Sequence, residues 1–259
     1  MIQLIRIELL KLRTTRTTAG LLGVTVLLTA LDAVLRASRA GNGKLAPLDT
    51  ADGLRNVCTL TGFSMLMAML LGAIVASGEF RHATATLTYL TCPNRTRVLT
   101  AKAMTAALGG LVMGAVGAGT ATAVALAFTA GHGYRIALTG GSLTGYAAGA
   151  MLGAALLGAL GVGMGSLIRS QLVIVVGLLV WALFVESILG GLFNGLSPYL
   201  PFTAATTLAG ARLGGGGFGF TGANSTTPLP FAAAVVFLVA VILAAAALAN
   251  RTTVRSDVS

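Results

Sequence analysis

Two carboxylates, Asp32 and Glu186, sit inside long apolar stretches of this 259-residue sequence. A carboxylate in hydrocarbon is costly, so such a group turns toward a bundle interior or an aqueous cavity and can serve a proton or cation relay. Each lies toward one end of its stretch, and Asp32 is one helical turn before Arg36. Snorkelling to water or an ion pair therefore accounts for the same positions. Phe63, Met65 and Met69 in one stretch and Trp181 and Phe184 in another suit a wall for varied apolar ligands. They equally suit ordinary helix packing.

Other chemistry is missing. No G-x-x-x-x-G-K-[ST] phosphate loop occurs, since the Gly43-Lys44 pair is followed by Leu45. There is no HExxH, and no Cys/His cluster has the spacing of a metal site. Cys58 and Cys92 are expected near opposite membrane faces and carry no assigned chemistry. The sequence leads us to expect no catalytic residue, no bound cofactor or metal, and no enzyme activity of its own.

Glycine supplies the clearest pattern inside the apolar stretches. Gly141, Gly145, Gly149 and Gly153 recur at every fourth position, and Gly110/Gly114 and Gly161/Gly165 repeat the spacing. Such a stripe leaves a groove without side chains where another helix can approach closely.

The elements that must hold these residues follow from composition. The chain is 56% hydrophobic and 9% charged, with a mean hydropathy of +0.90. Soluble domains carry roughly 25% charged residues, so most of this chain is expected to face lipid. Apolar runs at 19–35, 57–77, 103–130, 143–168, 172–193 and 229–249 are each long enough to span a bilayer. The expected fold is an all-α, six-span membrane protein forming one transmembrane domain over residues 1–259.

Seventeen Lys and Arg against seven Asp and Glu give a net charge of +10. The cations fall between the apolar runs, so anionic lipid, not nucleic acid, is the expected partner. With cytoplasmic termini, eleven basic residues lie inside and six outside. The positive-inside rule favours that orientation.

Three connecting segments complete the plan. Residues 1–18, opening MIQLIRIELLKLRTTR, read as a helix lying at the inner interface with its cations toward lipid phosphates. Residues 78–102, GEFRHATATLTYLTCPNRTRVLTAK, form the longest inward connection. Alternation at 84–89 is strand-like, but a strand there has no partner, so helix is preferred up to Pro93. Residues 194–228 are rich in Gly, Pro, Ser and Thr, and the apolar piece at 198–208 is too short to cross the bilayer.

The basic opening around Glu8-Leu9-Leu10-Lys11, the six spans, and Gly78-Glu79-Phe80-Arg81-His82-Ala83-Thr84 followed by Pro93-Asn94-Arg95-Thr96-Arg97 and Lys102 resemble the permease subunits of type-2 ABC transporters. The family's usual Gly before Thr is Ala83 here. The resemblance implies a half-channel that pairs with a second permease copy or paralogue and docks two separate ATP-binding subunits, which hold ATP and Mg. It further implies a coupling helix beginning at Glu79, Phe80 and Arg81, with Leu87, Tyr89 and Leu90 supplying buried contacts. Short re-entrant helices between spans 5 and 6 and a substrate path near spans 2 and 5 are also implied. The expected activity is export of a hydrophobic or amphipathic small molecule, such as an antibiotic, across the cell membrane. The alternatives are a secondary transporter or ion channel using Asp32 and Glu186, and a non-transporting immunity or anchor protein.

Overall fold

The computed structural model describes residues 2–41, 46–59, 61–81, 95–134, 138–168, 170–193, 195–211 and 227–255. Every regular element among these residues is helical. A surface helix α1 (Ile2–Thr14) leads into α2 (Arg16–Arg39), and a short α3 (Ala51–Cys58) precedes α4 (Gly62–Arg81). Then come α5 (Arg95–Gly131), α6 (Gly140–Leu167) and α7 (Gln171–Leu192), the last with a π-turn at Trp181–Val185. A 3-10 turn at Ser197–Tyr199, α8 (Pro201–Leu208) and α9 (Phe231–Arg255) complete the order.

Six stretches are long and apolar enough to cross a membrane: Arg16–Arg39, Ala51–Gly78, Thr96–Gly131, Gly140–Leu167, Gln171–Leu192 and Phe231–Arg251. They overlap the six runs expected from composition. At 37 residues, α5 measures about 55 Å, well beyond a hydrocarbon core of about 30 Å.

The second span is not one continuous helix. The Thr50 side chain accepts from the Gly53 N–H at 3.1 Å and so starts α3. The Thr59 hydroxyl donates to the Arg55 carbonyl at 2.9 Å. Hydroxyls at such positions compete with the helical ladder, and α3 ends at Cys58 before α4 begins at Gly62.

What organises the bundle is contact between bare backbones. A Cβ at Gly161 would overlap the Met69 carbonyl, one at Gly72 the Gly158 carbonyl, and one at Gly110 the Ala154 carbonyl. At Gly165 and Gly114 it would fall 2.6 Å from the Ala73 oxygen and 2.7 Å from the Ala150 oxygen. These pairs make α4 and α6 parallel, with α5 antiparallel to both. The second span lies at the centre, with 88% of its most apolar window buried, against 17% for the first and sixth spans. Apolar side chains on α2, α7 and α9, such as Leu27, Val176 and Val236, point outward, as lipid-facing residues must.

The glycine stripe on α6 divides in two. Gly149 abuts the Leu208 carbonyl of α8, and a Cβ at Gly153 would lie 2.6 Å from Met65 Cε. Gly141 and Gly145 have nothing within 4 Å.

This packing sets an expectation for stability in detergent. Gly161→Ala and Gly72→Ala force backbone apart and should cost about 2–3 kcal/mol by overpacking. Gly141→Ala and Gly145→Ala should shift stability by less than about 0.5 kcal/mol. Thermal unfolding of the four variants side by side reads the difference.

Candidate functional site

The helices meet at two ends, here called proximal (the side of α1) and distal. At the proximal end a buried charge cluster joins three elements. Glu8 of α1 is 7% exposed and Lys102 of α5 is 5% exposed. Lys102 Nζ donates to Glu8 Oε1 at 3.5 Å and to the Val75 carbonyl of α4 at 3.4 Å. Lys11 Nζ donates to the same Glu8 oxygen at 2.9 Å from a more exposed position. Burying a lone charge is prohibitive, so the pair fixes which face of α1 lies against the bundle.

From this corner α4 runs out through Glu79, Phe80 and Arg81, which form its last helical turn. The side chains of these three residues lie outside the described part of the structure. Leu87, Tyr89 and Leu90, and the choice of helix over strand at 84–89, likewise lie outside the described residues. The described chain resumes at Arg95, where α5 begins, two residues after Pro93.

A second polar arrangement holds α8 at both of its ends. Glu186, buried at 5% exposure, accepts the Thr203 N–H through Oε1 at 2.8 Å. Thr203 is in the first turn of α8, and the N-cap residue Leu200 offers no side-chain acceptor. A carboxylate there satisfies an otherwise orphaned N–H and opposes the positive end of the helix dipole. At the other end, Arg55 Nε and Nη2 donate to the Gly210 carbonyl at 3.0 and 2.7 Å. The Arg55 guanidinium also lies 5.5 Å from the Tyr146 ring centroid. Gly210 has φ +81°, and a Cβ there would fall 2.6 Å from Tyr146. Glycine is therefore required both by the backbone and by the ring.

The π-turn explains how Glu186 reaches this position. Ile174, Leu178, Ala182 and Glu186 are buried at four-residue intervals. In an unbroken α-helix three such steps drift by roughly 120°. The π-turn, in which the Glu186 N–H bonds the Trp181 carbonyl, removes most of that drift and keeps the carboxylate inward.

Asp32, by contrast, is engaged locally: Arg36 Nε lies 3.2 Å from its Oδ1. Asp32 and Glu186 thus hold separate partners and form no shared site. Among the apolar candidates, Met65 and Met69 are buried in the core and Phe63 is half-buried. Trp181 and Phe184 are exposed on the outer face of α7. One chain therefore does not bring the thioethers and the aromatics to a common surface. No group of three or more His, Cys, Asp or Glu suited to a metal occurs among the described residues.

Arg55 and Thr203 were not singled out from the sequence, and Glu8 and Lys102 stand there only within the segments that carry the family resemblance, not as a pair. Glu8 carries a faint signal as the one acid in residues 1–16. That its partner is Lys102, 94 positions away, has no signal in the sequence.

Breaking the buried pair should cost more than removing it. Lys102→Met should destabilise by about 3 kcal/mol, and Glu8→Leu/Lys102→Met should recover most of that loss. For α8, Glu186→Leu should cost about 1–3 kcal/mol by orphaning the Thr203 N–H, while Glu186→Gln keeps an acceptor and most of the stability. Denaturation of the purified variants in micelles measures both sets. Searches of protein-family models and of curated proteins return no match for this chain.

Proposed function

We propose that this chain is the membrane-spanning permease subunit of an ATP-driven type-2 ABC exporter. It pairs with a second permease copy or paralogue and takes its energy from two separate ATP-binding subunits, which hold ATP and Mg. Its cargo is a hydrophobic or amphipathic small molecule, such as an antibiotic. Both termini face the cytoplasm of the cell membrane, which makes the proximal end the inner one.

The observation that carries this reading is the proximal corner. The connection at 78–102 joins α4 and α5, two of the helices packed through bare backbone. The Glu8–Lys102 pair ties α1 to the same corner. Nucleotide hydrolysis in a partner can bias a permease only through contacts that differ between the partner's states. A force on 78–102 passes directly into the tightest part of the bundle, which suits such coupling. In a pair of permeases, the exposed Trp181 and Phe184 are available to line a path between the two copies. The relay alternative draws less support, because Asp32 is paired with Arg36 and Glu186 caps α8.

The test is co-expression with an ATP-binding-cassette subunit encoded beside this chain, followed by ATP-dependent export from inverted vesicles. Glu79→Ala/Arg81→Ala should leave insertion and melting temperature intact and let ATP hydrolysis continue, while export falls by about tenfold or more. Undiminished export by that variant, or gradient-driven flux with no ATPase present, overturns the proposal.

A further inference from the structure

A groove of about 890 Å³ lies at the proximal end between α1, the start of α2 and the middle of α5. Arg6 and Arg13 stand on its α1 wall, while Leu22, Leu108, Val112 and Met113 belong to the apolar remainder. Seven residues apart, the two arginines lie on one face of α1. Neither has an ion-pair or hydrogen-bond partner among the described residues. The rotation that presents them is set elsewhere. Glu8, roughly 200° round the helix from Arg6, is held by Lys102 against the bundle.

The surroundings resemble a lipid interface. Ile7 and Leu10 are each 53% exposed beside the arginines, and Leu108 and Val112 are 42% and 53% exposed on the facing helix. An aqueous anion has no use for such walls, and an apolar molecule has none for two guanidinium groups that find no partner among the described residues. Guanidinium binds phosphate oxygens well, and the volume falls in the range of ligand-sized clefts.

We propose that this groove seats one anionic phospholipid from the proximal leaflet, its phosphate between Arg6 and Arg13 and an acyl chain along Leu22, Leu108 and Val112. The seat joins α1 to α5 by a second, detachable link beside the buried Glu8–Lys102 pair. It depends on the chain crossing a membrane and not on the transport proposal, since no ATP-binding subunit is needed to observe it.

The experiment uses the full chain purified in a mild non-ionic detergent, with retained phospholipid quantified by class. The chain is then reconstituted with vesicles of phosphatidylglycerol or of phosphatidylcholine. Wild type and a charge-matched control, Arg39→Gln/Arg251→Gln, should retain phosphatidylglycerol. Arg6→Gln/Arg13→Gln should bind it roughly tenfold or more weakly. Val112→Trp, which fills the groove and leaves its charge unchanged, should lose it as well. Equal retention by the arginine variant or by Val112→Trp overturns the proposal, as does equal retention of phosphatidylcholine. Displacement by inorganic phosphate as effective as by phosphatidylglycerol assigns the arginines to a free anion and also overturns it.

Discussion

Hydrocarbon gives helices no hydrophobic reason to associate, because a lipid tail is as apolar as leucine. What remains is close van der Waals approach, and in this chain the approach is made by backbone. Gly72, Gly110, Gly114, Gly158, Gly161 and Gly165 bring α4, α5 and α6 so near that a methyl group at those positions meets a carbonyl oxygen or Cα of the neighbour. The three helices form a stiff centre. The remaining spans lean on that centre while keeping most of their surface for lipid or another protein.

Around this centre, charge is used sparingly and at the ends. Glu8 and Lys102 fix α1 at one end. Glu186 and Arg55 hold the two ends of α8, with signs opposed to the helix dipole. Each arrangement bridges elements distant in sequence, and each takes one partner from a span. Polar contacts that would be worth little in water are kept here in surroundings where the unsatisfied alternative is costly. The result is a stiff bundle with two separately anchored attachments: the helix α1 at one end and the short helix α8 at the other.

Much of this plan is visible in the sequence. Uninterrupted apolar runs mark the spans because a lipid-facing helix has to be apolar along its length. The short apolar piece near Pro198 marks the place of α8 for the opposite reason, being too short to cross. The glycine spacing shows that a face is bare but not what meets it. Gly149 and Gly153 meet α8 and Met65, while Gly141 and Gly145, in the same stripe, meet nothing. Long-range pairs such as Glu8–Lys102 and Arg55–Gly210 depend on how the helices are arranged, which periodicity does not encode. The break after Cys58 had a readable sign in Thr50, Thr59 and Thr61, yet apolarity alone runs straight through it. The proposed coupling side chains at 79–90 lie outside the described residues, so that part of the candidate site rests on sequence resemblance.

The interruption at Trp181–Val185 makes the fifth span a screw cut with two offset threads. Its lower thread turns Val173, Val176 and Val180 outward, and its upper thread turns a carboxylate toward the core. A single continuous thread could not serve both without either exposing the acid to hydrocarbon or burying the valines. Because the offset resides in one widened turn of backbone, gaining or losing a single residue there would re-index everything above it. The grip on α8 is thus set by chain length at that turn as much as by the identity of the gripping residue.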